Sequence, residues 1–301
     1  IAPMQYALLQ ANPTRDTLVY WLTDSLAIGQ DSIFLEMTYL KSDSAYNLVP
    51  QTDTISAIYR APRLTAKAKE AIDKKNRERM LELRSNAKSG FEVYDTLRIL
   101  SPMPIDSVWA DSIGLYEKVD TIYKSVPFTL QPTDSVPLGY FVVARLEQGK
   151  SYELRLDSGA VRDVYGVANK EKKFALQLKT AEDYSTLLIK IPTYDPAIRL
   201  QLLDEKDKPV RELSARPEGT KFEYLTPKAY YLRLYVDLDG DGKWTTGDWA
   251  TKRQPEPVFY FPAKLTLRAN WDFEEIFDYL ARPQLDSKPR ELIKDAAATK
   301  K

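Results

Sequence analysis

Short runs in which apolar and polar residues alternate constrain this chain more than any other feature of its sequence. The clearest run covers residues 230–238, where Leu232, Leu234 and Val236 fall on one face and Tyr231 and Arg233 on the other. A period of two is the pattern of a β-strand with one buried face. Runs of the same kind, at 17–22, 31–40, 53–59 and repeatedly over 91–180, are separated by Gly, Pro, Asn and Asp. The pattern predicts an all-β protein.

The strand at 230–238 leads directly into an acidic loop. Counted from Asp237, aspartates occupy positions 1, 3, 5 and 12 and glycine occupies position 6, which is the spacing of a calcium-binding loop. The candidate ligands are Asp237, Asp239, Asp241, Lys243 through its backbone carbonyl, Thr245 and Asp248. We predict a structural calcium site with a dissociation constant on the order of 10⁻⁴ to 10⁻³ M. The alternative is a tight turn whose carboxylates accept bonds from nearby backbone N–H groups.

Two missing residue types narrow the chemistry available to the chain. It contains no histidine and no cysteine, which excludes Ser-His-Asp and Cys-His catalysis, histidine- or thiolate-bound zinc and disulfide bonds from its own side chains. Lys+Arg and Asp+Glu both number 43, so the formal net charge is zero and no nucleic-acid partner is expected. No run approaches the ~18 apolar residues of a membrane span.

A chain of 301 residues suits two or three domains. Residues 63–90 differ from the rest because Ala, Lys, Glu and Arg dominate there, which predicts a charged helix. We expect a β-sandwich at 1–62, incomplete at its N-terminus; a charged helical linker or insertion at 63–90; β-sandwiches at 91–183 and 184–275; and a mobile tail at 276–301. The fold class is therefore a tandem array of β-sandwiches with one charged helical insertion.

The sandwich at 91–183 carries motifs of a known family. The stretch 97–115, LRILSPMPIDSVWADSIGL, contains S-x-P-I followed by D-S-I-x-L, and later come G-x-x-Y-x-L at 149–154 and V-x-D-x-x-G at 161–166. These segments, in this order, resemble the bacterial Ig-like domains of the SbsA type. The resemblance implies an extracytoplasmic β-sandwich and no catalytic residues.

The last sandwich resembles prealbumin-like modules. Its hairpin at 198–211 and the segment at 222–233, FEYLTPKAYYLR, follow the order of such a module, although Ala229 stands where those modules carry glycine. The run from the acidic loop to RANWD at 268–272 is similar to the end of Ig-like surface lipoproteins of gut Bacteroidetes. That resemblance implies an outer-membrane-surface or periplasmic protein, attached to the membrane only through a lipid anchor outside this chain.

The leading hypothesis from these observations is a monomeric, non-enzymatic structural or adhesion protein that presents or spaces a binding surface. Its partner would be a protein or glycan at the cell surface. An alternative is a glycan-binding accessory protein of a polysaccharide-uptake system, because Trp244 and Trp249 flank the acidic loop and a sugar ring stacks well on tryptophan. A glycan-active enzyme stays open as a third hypothesis, since the distance between two carboxylates cannot be derived from their spacing in the chain.

Overall fold

The predicted all-β class is confirmed by a computed structural model, which describes residues 7–12, 14–60, 65–67, 69–70, 74 and 79–293. Apart from helical residues between 66 and 74, the α-helix of this described part is a single turn, α1 (Ser25–Ile28), capped by Asp24. The chain divides into two compact units, 1–178 and 179–301. No helix among the described residues is both long and apolar enough to cross a membrane.

The N-terminal segment forms two separate antiparallel hairpins. One pairs β1 (Ala7–Ala11) with β2 (Leu18–Leu22), and the other pairs β3 (Ser32–Ser42) with β4 (Leu48–Ile58). Each is a two-stranded sheet, and none of its described residues is buried. This differs from the sandwich expected at 1–62, because alternation predicts strands but cannot supply the second sheet that would cover their apolar faces.

The first sandwich belongs to the same unit and follows residue 80. Its strands are β5 (Arg84–Ser85), β6 (Ser89–Phe91), β7 (Leu97–Leu100), β8 (Ile105–Val108), β9 (Ile113–Val119), β10 (Ile122–Ser125), β11 (Phe128–Pro132), β12 (Gly139–Ala144), β13 (Ser151–Leu156), β14 (Val161–Asp163) and β15 (Lys172–Leu178). One sheet has the order β10-β9-β13-β15-β6, another has the order β11-β12-β7-β5, and β8 pairs with β14.

Strand β13 shows how the sequence builds this core. Tyr152, Leu154 and Leu156 are buried while the residues between them are partly exposed, as a period of two requires. Each such side chain contributes about 1.5–3 kcal/mol relative to an exposed one. The buried residues of both main sheets form one continuous apolar cluster.

The sandwich begins earlier than the sequence suggested. Leu81 and Leu83 are 4% and 2% exposed and belong to its core, and the Leu81 amide donates to the carbonyl of Ala168 at 2.9 Å. The end of the predicted helical segment 63–90 is therefore not helical, and it contains β5 and the start of β6. Ten of the 28 residues of the predicted helical segment lie outside the described part of the chain, and Ala66, Lys67, Lys69, Glu70 and Lys74 are helical.

The second unit contains two facing sheets around a core of its own. Its strands are β16 (Ser185–Lys190), β17 (Ile198–Leu203), β18 (Pro209–Ser214), β19 (Thr220–Leu225), β20 (Ala229–Val236), β21 (Val258–Tyr260), β22 (Leu265–Thr266) and β23 (Asp272–Ile276). The orders are β19-β16-β23 and β18-β17-β20-β21, with β22 also paired to β20. Leucines on β17 and β20 fill the space between the sheets.

The segment expected to be a mobile tail packs against this unit through residue 293. Phe277 is 2% exposed in the main core, and Leu292 is 4% exposed in a small cluster with Leu203 and Tyr231. We call residues 283–293 the strap. Residues 294–301, the rest of the predicted tail, lie outside the described part of the chain.

Candidate functional site

The acidic loop is positioned by β20, whose alternating side chains have different surroundings. Leu232 and Leu234 point into the core, whereas Arg233 and Tyr235 lie on the opposite face. Asp237 follows the end of the strand, and its amide donates to the carbonyl of Ala197 at 2.9 Å. The first residue of the loop is therefore anchored to the sheet and only 5% exposed.

The Asp237 carboxylate organises the first turn of the loop. Its Oδ1 accepts from the Gly240 amide at 2.8 Å and its Oδ2 accepts from the Gly242 amide at 3.0 Å. The guanidinium of Arg199 lies 3.4 Å from Oδ2. Both glycines have φ near +75°, where a side chain would be strained, so Gly242 serves the sharp turn that the sequence predicted.

A second buried carboxylate, that of Glu256, holds the loop from its other end. Oε1 accepts from the Leu238 amide at 2.7 Å and Oε2 accepts from the Thr245 amide at 2.9 Å. Glu256 is 5% exposed. Sequence reasoning missed this residue because it lies beyond the twelve-residue loop and no ligand spacing selects it. Its one local signal is an acidic residue between two prolines, Pro255 and Pro257.

The fold brings three carboxylates together, those of Asp237, Asp239 and Glu256. One oxygen from each lies within 4.8 Å of the others. Asp239 is exposed and pairs with the guanidinium of Arg253 at 3.4 Å. Two unit charges about 5 Å apart repel by roughly 0.8 kcal/mol in water and about 3 kcal/mol at an effective dielectric of ~20. Arg199 and Arg253 offset this repulsion from opposite ends of the cluster.

The remaining predicted ligands lie outside this cluster. Asp241 accepts from the Lys243 amide at 2.7 Å, and Asp248 accepts from the Ala250 amide and the Thr251 hydroxyl in a turn of its own. Those bonds lower the pKa of the Asp248 carboxyl, the Thr251 hydroxyl having the largest effect. Thr245 contributes its backbone amide to Glu256. The calcium prediction for the six sequence-selected residues stays a prediction.

The loop also carries apolar side chains that face solvent. Trp249 is 96% exposed, Leu238 is 70% exposed and Trp244 is 43% exposed. The indole N–H of Trp244 donates to the Glu256 carbonyl at 3.0 Å, so this ring is fixed to the base of the loop. Arg253 pairs with Asp239, and its backbone bonds to Asp248, which ties the two arms of the loop together. The loop is therefore a compact platform with exposed aromatic groups.

A chain of hydrogen bonds crosses the sheet face behind the loop. The Tyr235 hydroxyl donates to Glu212 at 2.8 Å and lies 3.3 Å from the Gly242 carbonyl, and Gln201 joins Glu212 to Arg233. Burial, followed by the bond to Glu212, raises the pKa of Tyr235. The loop backbone is therefore connected, through the buried Tyr235 hydroxyl, to the polar side chains on this face of the sheet.

The network of hydrogen bonds continues across the sheet to the strap. Tyr260 donates to Asp207, and Lys288 of the strap pairs with Asp207 at 2.6 Å. The amide of Tyr260 also donates to the hydroxyl of Ser287 at 3.2 Å. Arg233 connects the strap contacts to Gln201, because its guanidinium also donates to the Tyr260 hydroxyl at 3.3 Å. These carboxylates and cations hold strands, loop and strap in place.

No protein-family model matches the sequence, and no curated protein matches it. Two solved structures are similar at a low level. The N-terminal part of the bacterial S-layer protein SbsC has a TM-score of 0.29 and 10% identity, over 67% of this chain and 47% of that chain. A variant of BcpA, the major pilin subunit of Bacillus cereus, has a TM-score of 0.22 and 8% identity, over 66% of this chain and 69% of that chain.

The chain thus spans about half the length of the SbsC fragment. One similar structure is part of an S-layer protein and the other is a pilin subunit, and the likeness is weak. At these TM-scores neither carries an argument about the present chain. What the chain does is therefore argued from its own residues.

Proposed function

We propose that this chain is a non-enzymatic, extracytoplasmic structural or adhesion protein that spaces and presents a binding surface. The observation that carries the proposal is the acidic loop, whose base is fixed by two buried carboxylates while Trp249 is almost fully exposed. A rigid base with exposed aromatic groups suits recognition, because little side-chain freedom is lost when a partner binds. The two separately cored units supply the spacing.

The compartment and attachment come from the sequence resemblance. Ig-like lipoproteins of the kind the sequence resembles are extracytoplasmic. This resemblance supports a location at the outer membrane surface or in the periplasm, with attachment through a lipid anchor outside the chain. The zero formal net charge argues against a nucleic-acid partner and is compatible with a surface protein or glycan as the partner. The proposal takes the chain to be a monomer. The proposal includes a structural calcium ion in the acidic loop, because the spacing of the loop aspartates and glycine is that of a calcium-binding loop.

Substituting two exposed tryptophans one at a time tests whether the acidic loop is the binding surface. Trp249→Ala should reduce binding of the purified protein to the cells or matrix it contacts by about thirtyfold or more, since truncating a hot-spot aromatic costs about 2 kcal/mol or more. The matched control is Trp271→Ala, because Trp271 is 55% exposed but stacks on Phe273 outside the loop. Equal binding by both variants and the parent protein would remove the loop from the proposal.

The second candidate function is glycan binding within a polysaccharide-uptake system. The exposed face of Trp249 favours it, because an indole presents a flat apolar surface to a sugar ring and Asp248, Thr251 and Lys252 place polar groups nearby in sequence. A glycan array in calcium-containing buffer separates the two functions. Binding that is lost in Trp249→Ala supports the glycan module, and an array without bound glycans leaves the protein-binding spacer. Release of shortened glycans during incubation would instead support the enzyme.

A further inference from the structure

One tripeptide recurs through the first 136 residues of the chain. It consists of aspartate, then serine or threonine, then Ala, Val, Leu or Ile. Its ten copies begin at Asp16, Asp24, Asp31, Asp43, Asp53, Asp95, Asp106, Asp111, Asp120 and Asp134. Only one other aspartate, Asp73, lies in this region, and none of the 14 aspartates after residue 136 begins such a tripeptide. A concentration of this kind requires a cause beyond amino-acid composition.

Local structure does not supply that cause, because the ten copies occupy different elements. Asp24 caps α1, whereas Asp43 accepts from the Ala45 and Asn47 amides in the β3–β4 turn. The copies at 53–55 and 106–108 lie within strands β4 and β8. Turn and cap chemistry explains an aspartate before serine at some of these places, but it does not require an aliphatic third residue. What the copies share is their linear sequence.

The hydroxyl groups of the tripeptides are accessible. Seven of the ten residues are exposed, namely Thr17, Ser25, Ser44, Thr54, Thr96, Thr121 and Ser135, and three are half-buried, namely Ser32, Ser107 and Ser112. None is buried, in contrast to Ser101, Ser185, Thr220 and Ser287. The third residue varies from 75% exposed at Leu26 to 1% at Leu97, so packing does not select it. An enzyme that reads a short linear sequence would reach most of these hydroxyls.

We infer that aspartate-(serine or threonine)-aliphatic is the recognition sequence for O-glycosylation of this chain at the central hydroxyl. A phosphoryl group would add a charge of about −1.5 to −2 beside each aspartate, which like-charge repulsion disfavours. A neutral sugar adds bulk and solubility without that repulsion. It would also shield exposed aliphatic residues of the same tripeptides, such as Ile55 and Ile122, which are 50% and 62% exposed. Five of the ten copies lie between residues 16 and 55, in the two exposed N-terminal hairpins and the α1 turn that joins them.

The reaction needs an activated sugar, in which the anomeric carbon is bonded to the phosphate of a nucleotide or lipid carrier. The Ser or Thr Oγ forms a bond to that carbon, and the bond between the carbon and the phosphate oxygen breaks with its electron pair. The hydroxyl proton passes to a base of the transferase, and the carrier phosphate leaves. No oxidant or reductant is involved.

Peptide mapping of the protein purified from the cells that naturally make it tests the inference. Electron-transfer fragmentation mass spectrometry should locate sugar mass increments on exposed central hydroxyls such as Thr96, Thr121 and Ser135. Ser158 is the internal control, since it is exposed and follows Asp157 but precedes Gly159. It should carry none. Unmodified peptides at all ten copies, or phosphate in place of sugar, would overturn the inference.

Two variants expressed in the same cells test which residues are read. Asp120 has φ of +54° in an exposed turn, a conformation that asparagine also adopts, so Asp120→Asn should keep the fold and the Thr121 hydroxyl. It should nevertheless lose the sugar from Thr121, as Thr121→Ala does, while the other copies stay modified. Unchanged occupancy of Thr121 in Asp120→Asn, or a sugar on Ser158 equal to that on Thr121, would refute recognition of the tripeptide.

Discussion

Asp237 and Glu256 each use both carboxylate oxygens to hold backbone amides of the acidic loop. Such bonds to a charged acceptor contribute about 1.5–3 kcal/mol each before other costs. The loop is therefore shaped by its own carboxylates, and a cation would meet oxygens that already have partners. The exposed Asp239 is the member of the cluster most available to an added ion.

A thermal melt in calcium against excess chelator distinguishes the two ligand sets. Calcium at ten times its dissociation constant should stabilise the fold by about 1.4 kcal/mol. If the spatial cluster binds, Asp239→Asn should abolish the calcium-dependent rise in Tm and Asp241→Asn should keep it. If the sequence-spaced set binds, both variants should abolish it. An unchanged Tm in the parent protein would contradict calcium binding.

Tyr235 predicts a specific response to alkaline pH. Its folded pKa is raised above the ordinary value of 10.0, chiefly by burial, so the folded state keeps the proton at a pH where the unfolded state releases it. Its contribution is therefore fully present below about pH 10 and is lost as the pH rises from the unfolded pKa through the folded one.

Urea unfolding of the parent protein and Tyr235→Phe measures this effect. At pH 7 the variant should be less stable by about 0.5–1.5 kcal/mol, because the hydroxyl no longer bonds Glu212. The difference should shrink or reverse between pH 10 and 11. A difference that stays constant with pH would contradict the raised pKa.

At the scale of elements, the strap depends on one apolar contact and several polar ones. Leu292→Ala should destabilise the second unit by about 2–5 kcal/mol, since Leu292 is 4% exposed against Leu203 and Tyr231. Leu285→Ala is the matched control because Leu285 belongs to the same segment and is 94% exposed. Chemical denaturation followed by near-UV circular dichroism reports the change. Equal stability of the two variants would show that the strap does not hold the sheet.

The N-terminal hairpins should behave differently from the strands of the sandwiches. An isolated two-stranded sheet is marginal in water, and the described residues of β3 and β4 include none that is buried. Their amide hydrogens should exchange at least tenfold faster than those of β13 and β20, as measured by hydrogen–deuterium exchange with peptide resolution. Slow exchange across β3 and β4 would mean that another surface covers the hairpin.

At the scale of the whole molecule, the two units have separate hydrophobic clusters. A chain of residues 179–301 should therefore fold without the rest, with a cooperative thermal transition. In the full chain, Leu154→Ala should lower the transition of the first unit by about 2–5 kcal/mol and leave that of the second unchanged. Differential scanning calorimetry measures both. An unfolded 179–301 fragment would contradict the independence of its core.

The sequence by itself determined the strands and the turn chemistry of the acidic loop. Alternation located β13 and β20, because a period of two is a local property of the strand. The sharp turn at the loop glycines was also predictable from local sequence, because a positive φ is a property of a single residue and favours glycine. Asp237 and Asp239 were found by spacing along a single loop.

Only the tertiary structure decided which distant residues complete these elements. Glu256 joins Asp237 from 19 positions away, Leu81 and Leu83 enter a core whose other strands come later in the chain, and Leu292 covers Tyr231. None of these has a distinctive local pattern, because burial of a single leucine or glutamate depends on where the opposing sheet lies. Local sequence sets the direction in which a side chain points, and long-range packing sets what it meets.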